Sequence, residues 1–212
     1  MKYNIIATGS KGNAVILEDY LMIDCGVSFK SLAPYYQDLK LVLLTHIHGD
    51  HFKKSTIKKL ALERPTLRWM CGKWLVKELV DLGVMKQNID IVDYNAGMYY
   101  GNPKIFIEAF ELFHNVENLG YKLYFNNTKV LYATDTNKID HITAKDFDYY
   151  FLEANHTMEE IERRIEEKVD AGKYCYELEA KNNHLCKEKT DAFIIDNAGE
   201  NSQFIYLHGH EE

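Results

Sequence analysis

Residues 43–51 read LLTHIHGDH, so an apolar run ends and His46, His48, Asp50 and His51 follow within six positions. Three imidazoles this close would repel one another if protonated, and would want partners if buried. Neutral imidazoles and carboxylates suit zinc and related divalent ions, and catalytic zinc keeps a position open for water. His46 and His48 stand two apart and can grip one ion together from a strand-exit loop. Asp50 and His51 can face a second ion about 3.5 to 4 Å away, the spacing of two-metal hydrolases. Such a centre needs a carboxylate between its ions.

Other candidates fall at matching places. Asp24 ends LMID, His114 ends FELFH, Asp135 ends VLYATD, His156 ends FLEANH and His208 ends FIYLH, each just past a run of apolar residues. Strand ends are rigid, and the loops leaving them can converge on one edge of a sheet sandwich. Asp135, in ATDT, is the natural bridging carboxylate. His208 is preferred to His210 as the last ligand because it follows Leu207 directly. His141, in the helix-like stretch KIDHITAKD, reads as a surface residue.

The elements that must position these residues are short. YNIIATG, AVILED, LMIDCG, LKLVLLT, TLRWMCG and IDIVDY read as strands, and LKLVLLT is apolar throughout, as a strand buried on both faces requires. STIKKLALE has helical spacing and stops at Arg64-Pro65, and KWLVKELVDLG is an amphipathic helix ended by Gly83. In the second half, KIFIEAFELFH is extended, and YKLYF and KVLYATD form a hairpin about NNT. DYYFLEANH and QFIYLHGH are further strands. A capping box at Thr157 to Glu160 opens a helix with Met158, Ile161, Ile165 and Val169 on one face, and EKTDAFIIDNAG is another helix. Two blocks of strands, each followed by helices, predict an α/β (α+β) chain with two mixed sheets packed face to face and helices outside.

The chain has 212 residues and no low-complexity linker or internal repeat, so a single domain over 1–212 is expected. No apolar run reaches the roughly 18 to 20 residues of a membrane span. The N-terminus lacks a signal-peptide core, and Cys25, Cys71, Cys175 and Cys186 show no CxxC spacing, which together point to reduced thiols and a cytoplasmic protein. The formal charge of -7 argues against a general nucleic-acid coat protein. It does not exclude a nuclease, because bound divalent metals reverse the charge at their site.

At its site residues the chain resembles the metallo-β-lactamase superfamily, whose HxHxDH signature stands here as His46, His48, Asp50 and His51. Within it the resemblance is to the small WalJ/YycJ-type proteins of bacteria and phages, regarded as exonucleases. It rests on GSKGNAVIL, LMIDCG, LLTHIHGDH, HNVENLGYKL, LYATDT, LEANHT and NNHLCKE. It implies an αββα sandwich with the site at one edge. His46, His48 and His114 would hold one ion and Asp50, His51 and His208 the other, with Asp135 bridging and Asp24 orienting a ligand. His156 and His184 match two further family positions, for phosphate contact or protonation of the leaving group.

The expected cofactors are two divalent ions, zinc first, with manganese or iron as alternatives. A hydroxide bridging such ions attacks carbonyl and phosphoryl groups alike. A phosphodiesterase acting on DNA or RNA ends is the leading expectation, with Asp50, Asp135, His156 and His184 at the chemistry. Small cyclic or linear nucleotides, a thioester or lactone, and an inactive metal-bound binding module are the alternatives. Lys53, Lys54, Lys58 and Lys59 could hold phosphates, although a solvated helix face is the plainer reading. MYYG, FDYYF and YCYE offer tyrosines for base stacking, or simply for core and sheet surface.

Overall fold

The computed structural model describes residues 1–209, in two compact units, Met1–Phe110 and a second that starts at Glu111. The first unit carries one six-stranded sheet whose spatial order equals chain order. Strands β1 (Tyr3–Ala7), β2 (Ala14–Leu17) and β3 (Leu21–Ile23) pair antiparallel. After the short helix α1 (Phe29–Leu32), strand β4 (Leu41–Leu43) joins β3 in parallel. Helix α2 (Lys54–Glu63), strand β5 (Arg68–Cys71), helix α3 (Val76–Asp81) and strand β6 (Ile89–Ile91) complete two further parallel steps.

Parallel strands are covered on both faces, and the sequence obeys this: every residue of the parallel pair β3 and β4 is buried. Helix α2 turns Thr56, Ile57 and Leu60 inward, against a core that includes Met22, Val42 and Trp69. Its C-terminal neighbour Arg64 donates to the carbonyls of Tyr36, Gln37 and Leu39, fastening the chain before β4. Strands β7 (Gly97–Gly101) and β8 (Lys104–Leu112) form an antiparallel hairpin; MYYG therefore lies in a strand.

In the second unit, β9 (Asn118–Phe125) and β10 (Thr128–Ala133) form the expected hairpin about Asn126-Asn127. Strand β11 (Tyr149–Glu153) joins β10 in parallel. Helices α4 (Met158–Asp170), α5 (Glu177–Asn183) and α6 (Lys187–Asn197) follow, and β12 (Gln203–Leu207) returns parallel to β11. The Thr157 hydroxyl accepts from the Glu160 amide while the Glu160 carboxylate accepts from the Thr157 amide, so the capping box is present. Only Ile161 of the predicted apolar face is buried, and Val169 is 60% exposed. The KIDHITAKD stretch is turns, not helix. No helix among the described residues is long and apolar enough to cross a membrane.

Candidate metal-binding clusters

In the first unit, Asp24 follows β3 and His46 to His51 follow β4. Because β3 and β4 are adjacent and parallel, their carboxyl ends open on the same edge of the sheet. The rings of His46 and His48 meet edge-on with centroids 4.7 Å apart, and those of His46 and His51 lie 4.2 Å apart. Nε2 of His46 is 3.1 Å from Nδ1 of His48. Asp50 Oδ2 stands 3.5 Å from His51 Nε2. Three imidazoles and a carboxylate therefore converge, which is a donor set that a divalent cation fits.

Asp24 supports this loop. Its Oδ1 accepts from the amide and the hydroxyl of Thr45, both at 2.9 Å, and its Oδ2 accepts from Nδ1 of His51 at 2.7 Å. A carboxylate only accepts, so the proton sits on Nδ1 and Nε2 keeps its lone pair. Asp24 adopts a left-handed φ of 62°, a strain that its three hydrogen bonds hold in place.

Asn13, just before β2, belongs to the same cluster. Its backbone amide donates to Asp50 O at 2.6 Å. Its side-chain Nδ2 lies 2.8 Å from His51 Nε2 and donates to the lone pair a cation would use. Gly26 lets these segments meet: a Cβ there would fall 1.6 Å from Asp50 O.

In the second unit, His114, Asp135 and His208 follow β8, β10 and β12. Asp135 and His208 also have left-handed φ, 56° and 55°. The ligand-type atoms of Asp135, Glu153, His184 and His208 all lie within 4.8 Å of one another. His184 and His208 stack at 5.1 Å and 11°, and His114 meets His184 at 5.2 Å. Three histidines, Asp135 and Glu153 thus converge here.

Glu153, the last residue of β11, is the participant that sequence reasoning missed. It is completely buried, and its Oε1 accepts from His184 Nδ1 at 2.5 Å while Oε2 accepts from the Thr136 amide at 2.9 Å. Burial works to raise the Glu153 carboxyl, but the His184 charge and hydrogen bonds from His184 and His208 outweigh it and hold it below the ordinary range. Burial likewise works to lower the His184 imidazole, and Glu153, with Asp135 behind it, raises it. A carboxylate closing an apolar strand was the available signal, in the same FLEANH that drew attention to His156.

His156 stands apart from that group of four. It is 5% exposed, and its Nδ1 donates to Asn155 Oδ1 at 3.1 Å. Asn155 Nδ2 in turn lies 3.1 Å from His208 Nδ1 and donates to His208 O at 3.0 Å. His210 lies outside the described residues. His141 is exposed and bonds to Glu111 O. Of the four lysines after the loop, Lys54 pairs with Glu78 and Lys59 sits over the Phe29 ring, so half of the proposed basic patch is engaged.

The β-lactamase superfamily domain model matches residues 20–174. The chain belongs to this superfamily, has the α/β sandwich fold of its metallo-β-lactamase branch, and is a metal-dependent hydrolase that binds divalent metal. It is 27% identical over 234 aligned positions to a protein of Streptococcus pneumoniae serotype 2 named exodeoxyribonuclease WalJ, covering 99% of this chain and 81% of that one. Among solved structures it is similar to the metallo-β-lactamase-fold protein YhfI of Bacillus subtilis, with TM-score 0.74, 17% identity and coverage of 99% and 87%. It is also similar to the short form of human tRNase Z, with TM-score 0.69, 14% identity and coverage of 99% and 93%.

Proposed function

We propose that the protein is a phosphodiesterase acting on DNA or RNA ends in the cytoplasm, with two divalent ions, zinc by preference. The ligand assignment is His46, His48 and His114 for one ion and Asp50, His51 and His208 for the other, with Asp135 shared. Support for it comes from the motif order and from the convergence of these side chains within each unit. Bound ions of this kind lower the pKa of water and neutralise charge growing on a phosphoryl oxygen.

The residues of the chain supply the rest. Asp24 fixes the His51 tautomer, and Asn155 joins His156 to His208, so His156 acts by orienting that ligand. Glu153 binds the Nδ1 proton of His184, which leaves Nε2 to carry a proton towards the departing oxygen. Against the lowering effect of burial, Glu153 and Asp135 raise the His184 imidazole and so favour its protonated form.

The observation that carries the proposal is the pairing of buried Glu153 with half-buried His184 beside Asp135, an acid poised next to a metal-type carboxylate. Its fit to nucleic acid is supported by the relative named as an exodeoxyribonuclease. A second reading, hydrolysis of small cyclic or linear nucleotides, is favoured by the net charge of -7. Turnover of single-stranded DNA, RNA and a cyclic nucleotide, measured across a salt series, separates them. Polymer cleavage should weaken steeply as salt rises, and a small nucleotide should respond weakly. Activity on a thioester or nitrocefin without any on phosphodiesters would reject both.

A further inference from the structure

The second unit contains a cavity of about 600 Å³ between the loop 137–142 and helix α6. Both of its walls begin at the Asp135/His184 cluster. Thr136 and Leu185 donate their amides to the same Glu153 oxygen, at 2.9 and 3.3 Å, so each wall leaves from one shared anchor. The near end carries Lys138, three residues past Asp135, with Asp140 Oδ1 3.7 Å from its Nζ, and Lys189, in the first turn of α6. The far end carries Asp196 and Asn197, in the last turn of α6. Lys189 and Asn197 are eight positions apart, about 12 Å along a helix. Between the two ends, Ile139, Ile142, Leu185 and Phe193 give an apolar lining.

The loop is held independently of any occupant. Asn137 Nδ2 donates to Asn182 O at 2.8 Å, Thr136 Oγ1 donates to Lys138 O at 2.9 Å, and His141 Nε2 bonds to Glu111 O at 3.0 Å. A largely pre-formed apolar cleft with a few placed polar groups is the usual form of a small-molecule site.

We propose that this cavity receives one nucleotide unit, with its phosphate against Lys138 and Lys189 and its base against the apolar lining. Asp196 and Asn197 then face the base edge, where a carboxylate accepts from an exocyclic amino group. A near end with two lysines to one carboxylate, an apolar middle and an acceptor-bearing far end follow the order of phosphate, sugar with base, and amino-bearing edge. The unit comes either as a free nucleoside monophosphate or as the residue next to the scissile bond of a strand. This rests on the phosphodiesterase reading for its biological sense, but its test does not need turnover.

The test is equilibrium binding of AMP, CMP, UMP, adenosine and a short single-stranded oligonucleotide to the full chain, as wild type, Ala192→Trp and Lys189→Ala. Ala192 lines the cavity from an exposed helix position, so tryptophan there fills space without disturbing the core. Lys189→Ala, also at an exposed position, serves as the control should the larger side chain perturb folding. AMP and CMP should bind more tightly than UMP, which lacks an exocyclic amino group. Lys189→Ala should weaken AMP about tenfold, the loss expected of one charged hydrogen bond, and leave adenosine unchanged. Ala192→Trp should weaken AMP at least as much, with an unchanged thermal midpoint.

If Ala192→Trp weakens the oligonucleotide too, the occupant is a strand residue; if it weakens only AMP, the occupant is a free nucleotide. Wild-type affinity for every ligand in both variants, or no binding of any nucleotide to the wild type, overturns the proposal. Normal oligonucleotide turnover and KM in both variants, with unaltered binding, rejects this site and spares the nuclease reading. Lost turnover on every nucleic acid in the wild type, with AMP binding intact and sensitive to both variants, does the reverse.

Discussion

Nδ1 of His51 lies 2.7 Å from Oδ2 of Asp24, and both side chains are wholly shielded from solvent. Asp24→Asn keeps the shape but replaces an acceptor by an amide that can donate to Nδ1. The proton then moves to Nε2, the nitrogen a metal needs. The expected outcome is metal affinity lower by about 10- to 100-fold, the usual cost of losing such an orienting carboxylate. Competition with a chromophoric chelator reads it directly; unchanged affinity would remove Asp24 from the account.

The contact between Gly26 and the carbonyl of Asp50 is equally specific. In Gly26→Ala the added methyl would fall 1.6 Å from that oxygen, so the loop bearing Asp50 and His51 must move. A stability loss of about 3 kcal/mol, at the upper end for overpacked sites, is expected together with reduced metal content. Chemical unfolding and metal analysis of the same preparation check both.

At the start of α4, Thr157 and Glu160 form a reciprocal cap. Thr157→Ala should cost about 1 kcal/mol at pH 7. Hydrogen bonds from the Thr157 amide and hydroxyl hold the Glu160 carboxyl below its ordinary value. Its contribution is therefore full above the unfolded-state pKa of about 4.3 and fades as pH falls through the lower folded-state value. Thermal midpoints of wild type and variant, compared at pH 7 and pH 3, should draw closer at the acid end without meeting, because the bond from the Glu160 amide to the Thr157 hydroxyl does not titrate.

Cys25 and Cys71 are fully buried, and burial pushes both thiols up, that of Cys71 to about 12. Neither should react with iodoacetamide in the native protein at pH 8, whereas the half-buried Cys175 should be labelled first. Peptide mapping after timed alkylation shows the order. Early labelling of Cys71 would contradict the packing of β5.

Much of this was legible in the chain because strands announce themselves. Asp24, His46, His114, Asp135 and His208 were found by one rule: a chemically able residue just after an apolar run. That rule follows from how strand ends position loops, and β3, β4, β8, β10 and β12 obey it. Helix α5 was not legible, since it has seven residues and no side-chain cap. Glu153 and Asn13 escaped for a different reason. Their importance lies in partners 31 and 38 residues away, His184 and His51; Glu153 does close the apolar run of β11, but only the distant contact distinguishes it from its neighbour His156. The KIDHITAKD stretch read as helix has helical composition, but its backbone is committed to the turns that pin His141 and Ile142.

The central claim is that the carboxylate of Asp135 belongs to a metal centre that cleaves phosphodiesters. Metal content and single-stranded DNA turnover, measured together on wild type and Asp135→Ala, test it most directly. Two ions per wild-type chain, with metal and turnover lost together in the variant, is the expected result. A variant that still folds, retains both ions and cleaves DNA at the wild-type rate would contradict the account.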